Sequence, residues 1–408
     1  MQKTKLGVIG LGCRGINLLT DVLLLMENAE IAAVCDIYED RVAGGVALVK
    51  EKSGVVPKGS VDYRDMLKDE GIDAVLITCD WEMHIPIAIE AMRAGKPVGM
   101  EVGGAYAIEE CWALVRAHEE TGVQCMLLEN CCYGRTELMI LNMVRLGVFG
   151  DIVHCAGGYC HDLREEIAFG AENRHYRLRN YLNRNCENYP THELGPIAKV
   201  LDIHSGNRMI SLSAIASKSL GMEQYVAAKK PDDAALAGKR FAQGDVVTTT
   251  IRCAQGETIV LTLDTTLPRA YSRGLRVRGT AGMYEEETNS IFIDGEHNKF
   301  DFDWKSQWDN AEGYREKYEH PLWEAYAREG IKNGHGGMDW LVLNAFVDSV
   351  RNKTVPPIDV YDAAAWMSIS ALSEESIALG GVPVSIPDFT GGRWVKPRNP
   401  VESMYWLG

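Results

Sequence analysis

Short apolar runs alternate with amphipathic stretches through the first third of the chain. Lys5–Gly10 (K-L-G-V-I-G) fits a strand buried on both faces, and Ile16–Met26 fits the helix that follows it. Ile31–Cys35, Ala74–Thr78, Pro97–Glu101 and Gln124–Glu129 repeat the strand pattern. Between them, Pro86–Ala94, with its proline in the first turn, and Ile108–Thr121 read as helices. Strands and helices in this alternation predict a doubly wound parallel sheet of the α/β class, with ligands at the carboxyl ends of its strands.

The pattern changes after Asn130. Thr136–Leu146 is helical, Asp151–Tyr159 alternates like a strand, and 160–188 is polar and loop-rich, crowded with Arg, Asn and Tyr. Further strands are predicted at Arg208–Ser217, Val246–Cys253, Thr258–Thr265, Leu275–Gly279 and Ser290–Ile293. Gln255-Gly256 and Asp294-Gly295 are expected to be hairpin turns. Glu223–Gly244 reads as a surface excursion, and Met338–Val350 and Tyr361–Leu379 as helices. Consecutive strands after a strand–helix alternation predict a second domain of α+β type with a largely antiparallel sheet. The expected division is 1–130 and 131–408.

With 408 residues and 46% hydrophobic content, the chain has room for two ordinary globular cores. A formal charge of −15 argues against nucleic acid and anionic membrane surfaces as partners. No apolar run approaches a bilayer span. The N-terminus passes almost at once into a strand, without the pattern of an export signal, so a cytoplasmic location is expected. The eleven cysteines show no metal-ligand spacing and are expected to be reduced; no metal site is expected.

Candidate chemistry begins at the first strand. Gly10-Leu11-Gly12-Cys13-Arg14-Gly15 opens the first helix, and Asp36 ends the second strand about 20 residues on, the spacing of a dinucleotide fingerprint. Gly10 permits the tight turn, Gly12 lets backbone approach a pyrophosphate, and Gly15 lets helix and strand pack closely. A carboxylate at Asp36 accepts from a ribose diol and repels a 2′-phosphate, so NAD is expected over NADP. Thr78, Trp81, His84, Glu101, Glu129 and Asn130 fall at or just past strand ends and outline a crevice.

A second concentration lies at Asn188–Pro196 (N-Y-P-T-H-E-L-G-P). If a helix starts near Pro190, Tyr189 and His192 share one side of its first turn, beside free N–H groups that favour negative charge.

Several stretches resemble the NAD-dependent glycosidases of glycoside hydrolase family 109, within the Gfo/Idh/MocA oxidoreductase superfamily. They are W-E-M-H at Trp81–His84, I-E-E-C-W at Ile108–Trp112, M-L-L-E-N at Met126–Asn130, and L-N-M-V-R-L-G-V-F-G-D-I-V-H at Leu141–His154. G-Y-C-H-D-L-R at Gly158–Arg164, Y-P-T-H-E-L-G-P at Tyr189–Pro196 and G-H-G-G-M-D at Gly334–Asp339 continue the match in order. The resemblance implies a Rossmann domain followed by an open-faced sheet domain. It also implies a redox-neutral cleavage: hydride leaves sugar C3 for NAD⁺, the C2 proton is lost, the C1 substituent is eliminated, water adds, and the hydride returns. Tyr159, Tyr189 and His192 are then the candidates for proton transfer. Glu129, His161, Asp162, Arg177 and Tyr271 are candidates for the sugar, and His335 joins the cofactor group. Some members of the superfamily associate through the sheet face, which implies a homo-oligomer.

Two departures qualify the resemblance. Glu101-Val102-Gly103 stands where many dehydrogenases of the superfamily carry Glu-Lys-Pro, so the lysine that works on the substrate hydroxyl is missing. Glu193 stands where the glycosidases have glycine, a change that bears on the sugar pocket and its preference for N-acetylgalactosamine. The competing expectations are a net sugar oxidoreductase, a lyase acting on 3-keto sugars, and a non-catalytic NAD-binding protein.

Overall fold

A computed structural model of the chain describes residues 3–332 and 334–408. The chain forms two compact units. One takes residues up to Gly134 together with Leu322–Ala365 and Asn399–Gly408; the other takes Arg135–Pro321 and Trp366–Arg398. Past residue 130, therefore, two later segments return to the first unit.

The first unit is built on strands β1 (Thr4–Ile9), β2 (Ala29–Cys35), β3 (Lys58–Ser60), β4 (Ala74–Ile77), β5 (Val98–Met100) and β6 (Cys125–Leu127). They lie in the order β3-β2-β1-β4-β5-β6, parallel throughout the described pairs. All four residues of β4 are buried, as suits a strand covered on both faces. The strand order reverses between β1 and β4, and there the sheet opens a crevice at its carboxyl end. Gly10 follows β1 and Thr78 follows β4. The Thr78 amide donates to Ile9 O at 2.8 Å and its hydroxyl to Gly10 O at 2.6 Å. From the returning segment, the helix Met338–Asn352 brings Phe346 against Gly99, where a Cβ would stand 3.3 Å from its ring.

The second unit holds β7 (Ile152–Cys160), β8 (Met209–Ala216), β9 (Val246–Cys253), β10 (Thr258–Asp264), β11 (Arg276–Gly279), β12 (Gly282–Glu285), β13 (Ser290–Ile293) and β14 (Val384–Ser385). Their order is β13-β12-β11-β7-β10-β9-β8-β14, antiparallel except for β7 beside β10. Burial alternates residue by residue along β9 and β10, the mark of a sheet covered on one face only. The helix Thr191–Val200 lies on the covered face against β7, nearly all of it buried.

Three expectations need correction. Gln255-Gly256 does turn β9 into β10, with Gly256 at φ +103°. Asp294-Gly295 is a turn after β13 but joins no two strands; the hairpin is β12–β13, closed by Asn289 N donating to Glu286 O at 2.9 Å. The segment read as a surface excursion begins as the helix Gly221–Lys229, with Met222 and Val226 buried. The predicted first helix is shorter, Cys13–Asp21, followed by a 3₁₀ turn at Leu23–Leu25.

Candidate active site

At the mouth of the parallel sheet, the glycines do what their spacing requires. Gly10 has φ +104°, and a Cβ there would come within 2.4 Å of Cys79 N. A Cβ on Gly15 would lie 2.1 Å from Gly10 O, so only glycine lets the helix sit this close. Gly12 is different: nothing approaches its missing Cβ nearer than 3.7 Å, which leaves the backbone open to a ligand. It caps the helix Cys13–Asp21, whose first turn has no acidic residue and no side-chain cap. The first-turn N–H groups are thus available to an anion, and the cradle fits a dinucleotide pyrophosphate. Asp36 is buried; its carboxylate accepts from Leu11 N at 2.8 Å and Tyr38 N at 3.0 Å. It fixes the glycine turn while keeping lone pairs for a diol.

Arg14, Glu101, Asn130 and His335 are brought together by Asp339, which sequence reasoning passed over. The Arg14 guanidinium donates to Asp339 at 2.8 and 2.9 Å and to Glu101 at 2.8 and 3.0 Å. Asn130 Nδ2 donates to Asp339 Oδ1 at 2.8 Å, and His335 Nδ1 lies 2.7 Å from Oδ2. Burial alone would raise the Asp339 carboxyl; hydrogen bonds from His335 and Arg14 outweigh it and hold the group well below the usual range. The signal was the aspartate ending G-H-G-G-M-D, four residues after His335. Arg14 is therefore saturated by carboxylates within its own unit.

Of the remaining first-unit candidates, Cys13 is exposed at the helix start. Trp81 is buried against Gly103, where a Cβ would stand 2.7 Å from its ring. His84 is fully buried with Nε2 3.1 Å from Cys79 O, and burial pushes its pKa down to about 4, so its ring is neutral. Glu129, past β6, accepts from Cys131 N at 3.0 Å.

The second unit assembles the other set. Thr191–Val200 starts at Pro190, and the rings of Tyr189 and His192 stand edge to face at 4.7 Å, as their spacing predicts. Tyr159, near the end of β7, packs against both, at 4.3 Å from Tyr189 and 5.3 Å from His192. Its hydroxyl is 3.0 Å from His161 Nδ1. Backbone pairing of Cys160 with Ser272 holds the preceding Tyr271 beside the strand, 5.2 Å from His161 and half exposed. Arg177, buried and ion-paired with Glu166, places its guanidinium 5.4 Å from the Tyr189 ring. Asp162 stands apart from this group: Arg164 holds both its oxygens, at 2.8 and 2.7 Å, and keeps its pKa low. Glu166 and Arg273 were missed by sequence reasoning, and neither lies in a recognisable motif.

Glu193 turns into the interior of its unit. Its carboxylate lies 2.8 Å from Arg273 Nε, and Arg273 also pairs with Glu137. Gly157 makes the room, since a Cβ there would be 2.6 Å from Glu193 Cβ.

Residues 133–396 match the family model described as glycosyl hydrolase 109, C-terminal domain, and residues 4–128 match the oxidoreductase family with an NAD-binding Rossmann fold. A glycosyl hydrolase family 109 protein of Parabacteroides distasonis is 39% identical, over 98% of this chain and 89% of its own. An alpha-N-acetylgalactosaminidase of Tannerella forsythia is 38% identical, over 97% and 88%. The chain belongs to glycosyl hydrolase family 109. This family 109 member is an NAD-dependent glycosidase, and its first unit is the NAD-binding Rossmann fold. The fold itself also matches an inositol dehydrogenase homolog from Azotobacter vinelandii, solved with NAD⁺, at TM-score 0.68 and 16% identity over 94% of this chain and 97% of that one. Among the described residues, no helix of this family 109 enzyme is long and apolar enough to cross a membrane.

Proposed function

We propose that this enzyme cleaves hexosides of the N-acetylgalactosaminide class through oxidation, elimination, hydration and re-reduction. The name of the Tannerella forsythia relative supports the substrate class. Burial of Glu193 against Arg273 supports it further, because the substituted carboxylate is spent within the unit's interior. The first unit holds the cofactor: the Gly10–Gly15 turn takes the pyrophosphate, Asp36 the ribose, and the residues past β4 to β6 the nicotinamide end. Bound NAD⁺ supplies reversible hydride removal at sugar C3, which leaves a ketone and acidifies the C2 proton.

The second unit does the proton work. Tyr189 and His192 take and return the C3 hydroxyl proton, and the helix N-terminus beside them favours the oxyanion. Tyr159 removes the C2 proton as the C1–oxygen bond breaks, and returns it after water has added at C1. Arg177 and Tyr271 hold sugar hydroxyls. The observation that carries this reading is the packing of Tyr159 against both Tyr189 and His192, three proton-transfer groups within one cluster.

The test is release of nitrophenol from 4-nitrophenyl α-N-acetylgalactosaminide by protein purified with its NAD. Release without net NADH is expected. NADH that accumulates in step with substrate would instead mark a net oxidoreductase, and turnover of ketosugars alone would mark a lyase. We also propose a cytoplasmic homo-oligomer, supported by cysteines that are mostly buried and by Val153 and Ile215 exposed on the sheet; light scattering checks the assembly.

A further inference from the structure

Tyr159 can act as a base only if its own proton has somewhere to go, and the cluster contains such an acceptor. His161 follows it by two residues. The two rings stand edge to face at 5.7 Å, with the Tyr159 hydroxyl 3.0 Å from Nδ1. The amide of His161 donates to Asp264 O at 3.0 Å, which fixes the backbone where the strand ends. Nδ1 thus meets a phenol, while the residue itself is only partly buried.

We propose that His161 is the proton relay behind Tyr159 and does not bind sugar. In the forward step the C2–H bond breaks and its electron pair forms the C1–C2 double bond as the C1 substituent leaves. The C2 proton goes to the Tyr159 oxygen, the phenol's original proton goes to His161 Nδ1, and the resulting imidazolium gives a proton from Nε2 to water. Hydration reverses the sequence at C2, so no external oxidant or reductant is required.

The surroundings suit a neutral acceptor. Burial is the largest influence pushing the His161 pKa below its ordinary value, and the Arg177 cation adds to it. Glu166 and Asp162 act the other way, and His192 again lowers it. Tyr159 and Tyr271 are further titratable neighbours. Glu166 is itself paired with Arg177, and Asp162 with Arg164, so neither carboxylate is directed at His161 alone. The imidazole is the free base at neutral pH and becomes cationic, unable to accept, only in acid.

The inference rests on Tyr159 being the C2 base, and the experiment separates the two claims. Wild type, His161→Gln and Tyr159→Phe are compared for hydrolysis of a 4-nitrophenyl glycoside in D₂O across pH, with thermal midpoint and retained NAD as controls for folding. The relay predicts that His161→Gln loses about 10- to 100-fold in kcat/KM and loses the acid limb of the wild-type pH profile. Deuterium at C2 of the sugar should also fall, because the abstracted proton returns before it exchanges. A His161→Gln variant with the wild-type acid limb and full labelling, beside an inactive Tyr159→Phe, overturns the relay and leaves the base assignment standing. An active, fully labelling Tyr159→Phe overturns both. A substrate-free check is the NMR titration of the His161 imidazole: Tyr159→Phe should shift its pKa, and an unchanged titration contradicts the hydrogen bond on which the relay depends.

Discussion

Around Asp339 each ionisable side chain meets a charged or hydrogen-bonding partner, whereas around Tyr159 the contacts are mainly those of rings packed edge to face. The first cluster joins Arg14, Glu101, Asn130 and His335 through one buried carboxylate. The second holds three phenols and two imidazoles together, with a guanidinium against one ring. The difference fits the function proposed for each unit. A cofactor that stays through every turnover calls for a rigid floor, and saturated charge–charge hydrogen bonds provide one. Moving protons on and off a sugar needs groups whose protonation can change, so strong ion pairs on them would be a hindrance.

The comparison is most easily broken at Tyr159. Replacing it by Phe removes one hydroxyl and its bond to His161, so kcat/KM should fall about 10³-fold while the thermal midpoint barely moves. Steady-state kinetics beside calorimetry checks this; a large loss of stability would mean that the cluster is a structural one.

Asp339→Ala should give the opposite result. Arg14 keeps Glu101, but a buried pair is broken at a cost of about 3 kcal/mol, with NAD lost from the purified protein. Because the Asp339 pKa is depressed, its stabilising effect is present above the ordinary carboxylate range and disappears only in stronger acid. Denaturation curves at neutral and acid pH measure both.

Glu187 sharpens the contrast within the second unit. Burial pushes its pKa from 4.5 up to about 8, with the Tyr189 amide as a weaker opposing influence. Ionisation therefore costs the folded protein more than the unfolded chain. The penalty is absent in acid below the unfolded value and grows as pH rises toward 8. Glu187→Gln should be the more stable protein at pH 8 and should lose that advantage in acid; parallel melting curves at all pH values would contradict it. The smallest effect is expected from Glu193→Gln. Arg273 keeps Glu137 and the Gln carbonyl can still accept from it, so the loss should be that of one charge-assisted hydrogen bond, about 1–2 kcal/mol. A collapse of activity against N-acetylated substrates alone would show that Glu193 governs the sugar pocket.

How much of this was legible depended on how local its causes are. The glycine turn, Asp36 and the apolar strands of the first unit are written in a few adjacent residues, and they appear where expected. The i, i+3 pairing of Tyr189 with His192 is equally local. The helix Gly221–Lys229 was hidden because its start is held by Asp245, which accepts from Leu220 N and Gly221 N at 2.8 and 2.9 Å from far along the chain. Strand β12 is four residues led by a glycine, too short to show alternation. Asp339 was missed because its partners are scattered from Arg14 to His335 and meet only in the fold. The burial of Glu193 was not legible because Gly157, which opens the space beneath it, is distant in sequence.

The account's central claim is that a carbon–hydrogen bond at sugar C2 breaks and re-forms in each turnover. Hydrolysis carried out in D₂O, with the released sugar analysed by NMR, tests it directly. Deuterium at C2, without net NADH, is the predicted result. Cleavage that leaves C2 fully protonated, in a wild-type protein retaining its NAD, would contradict it.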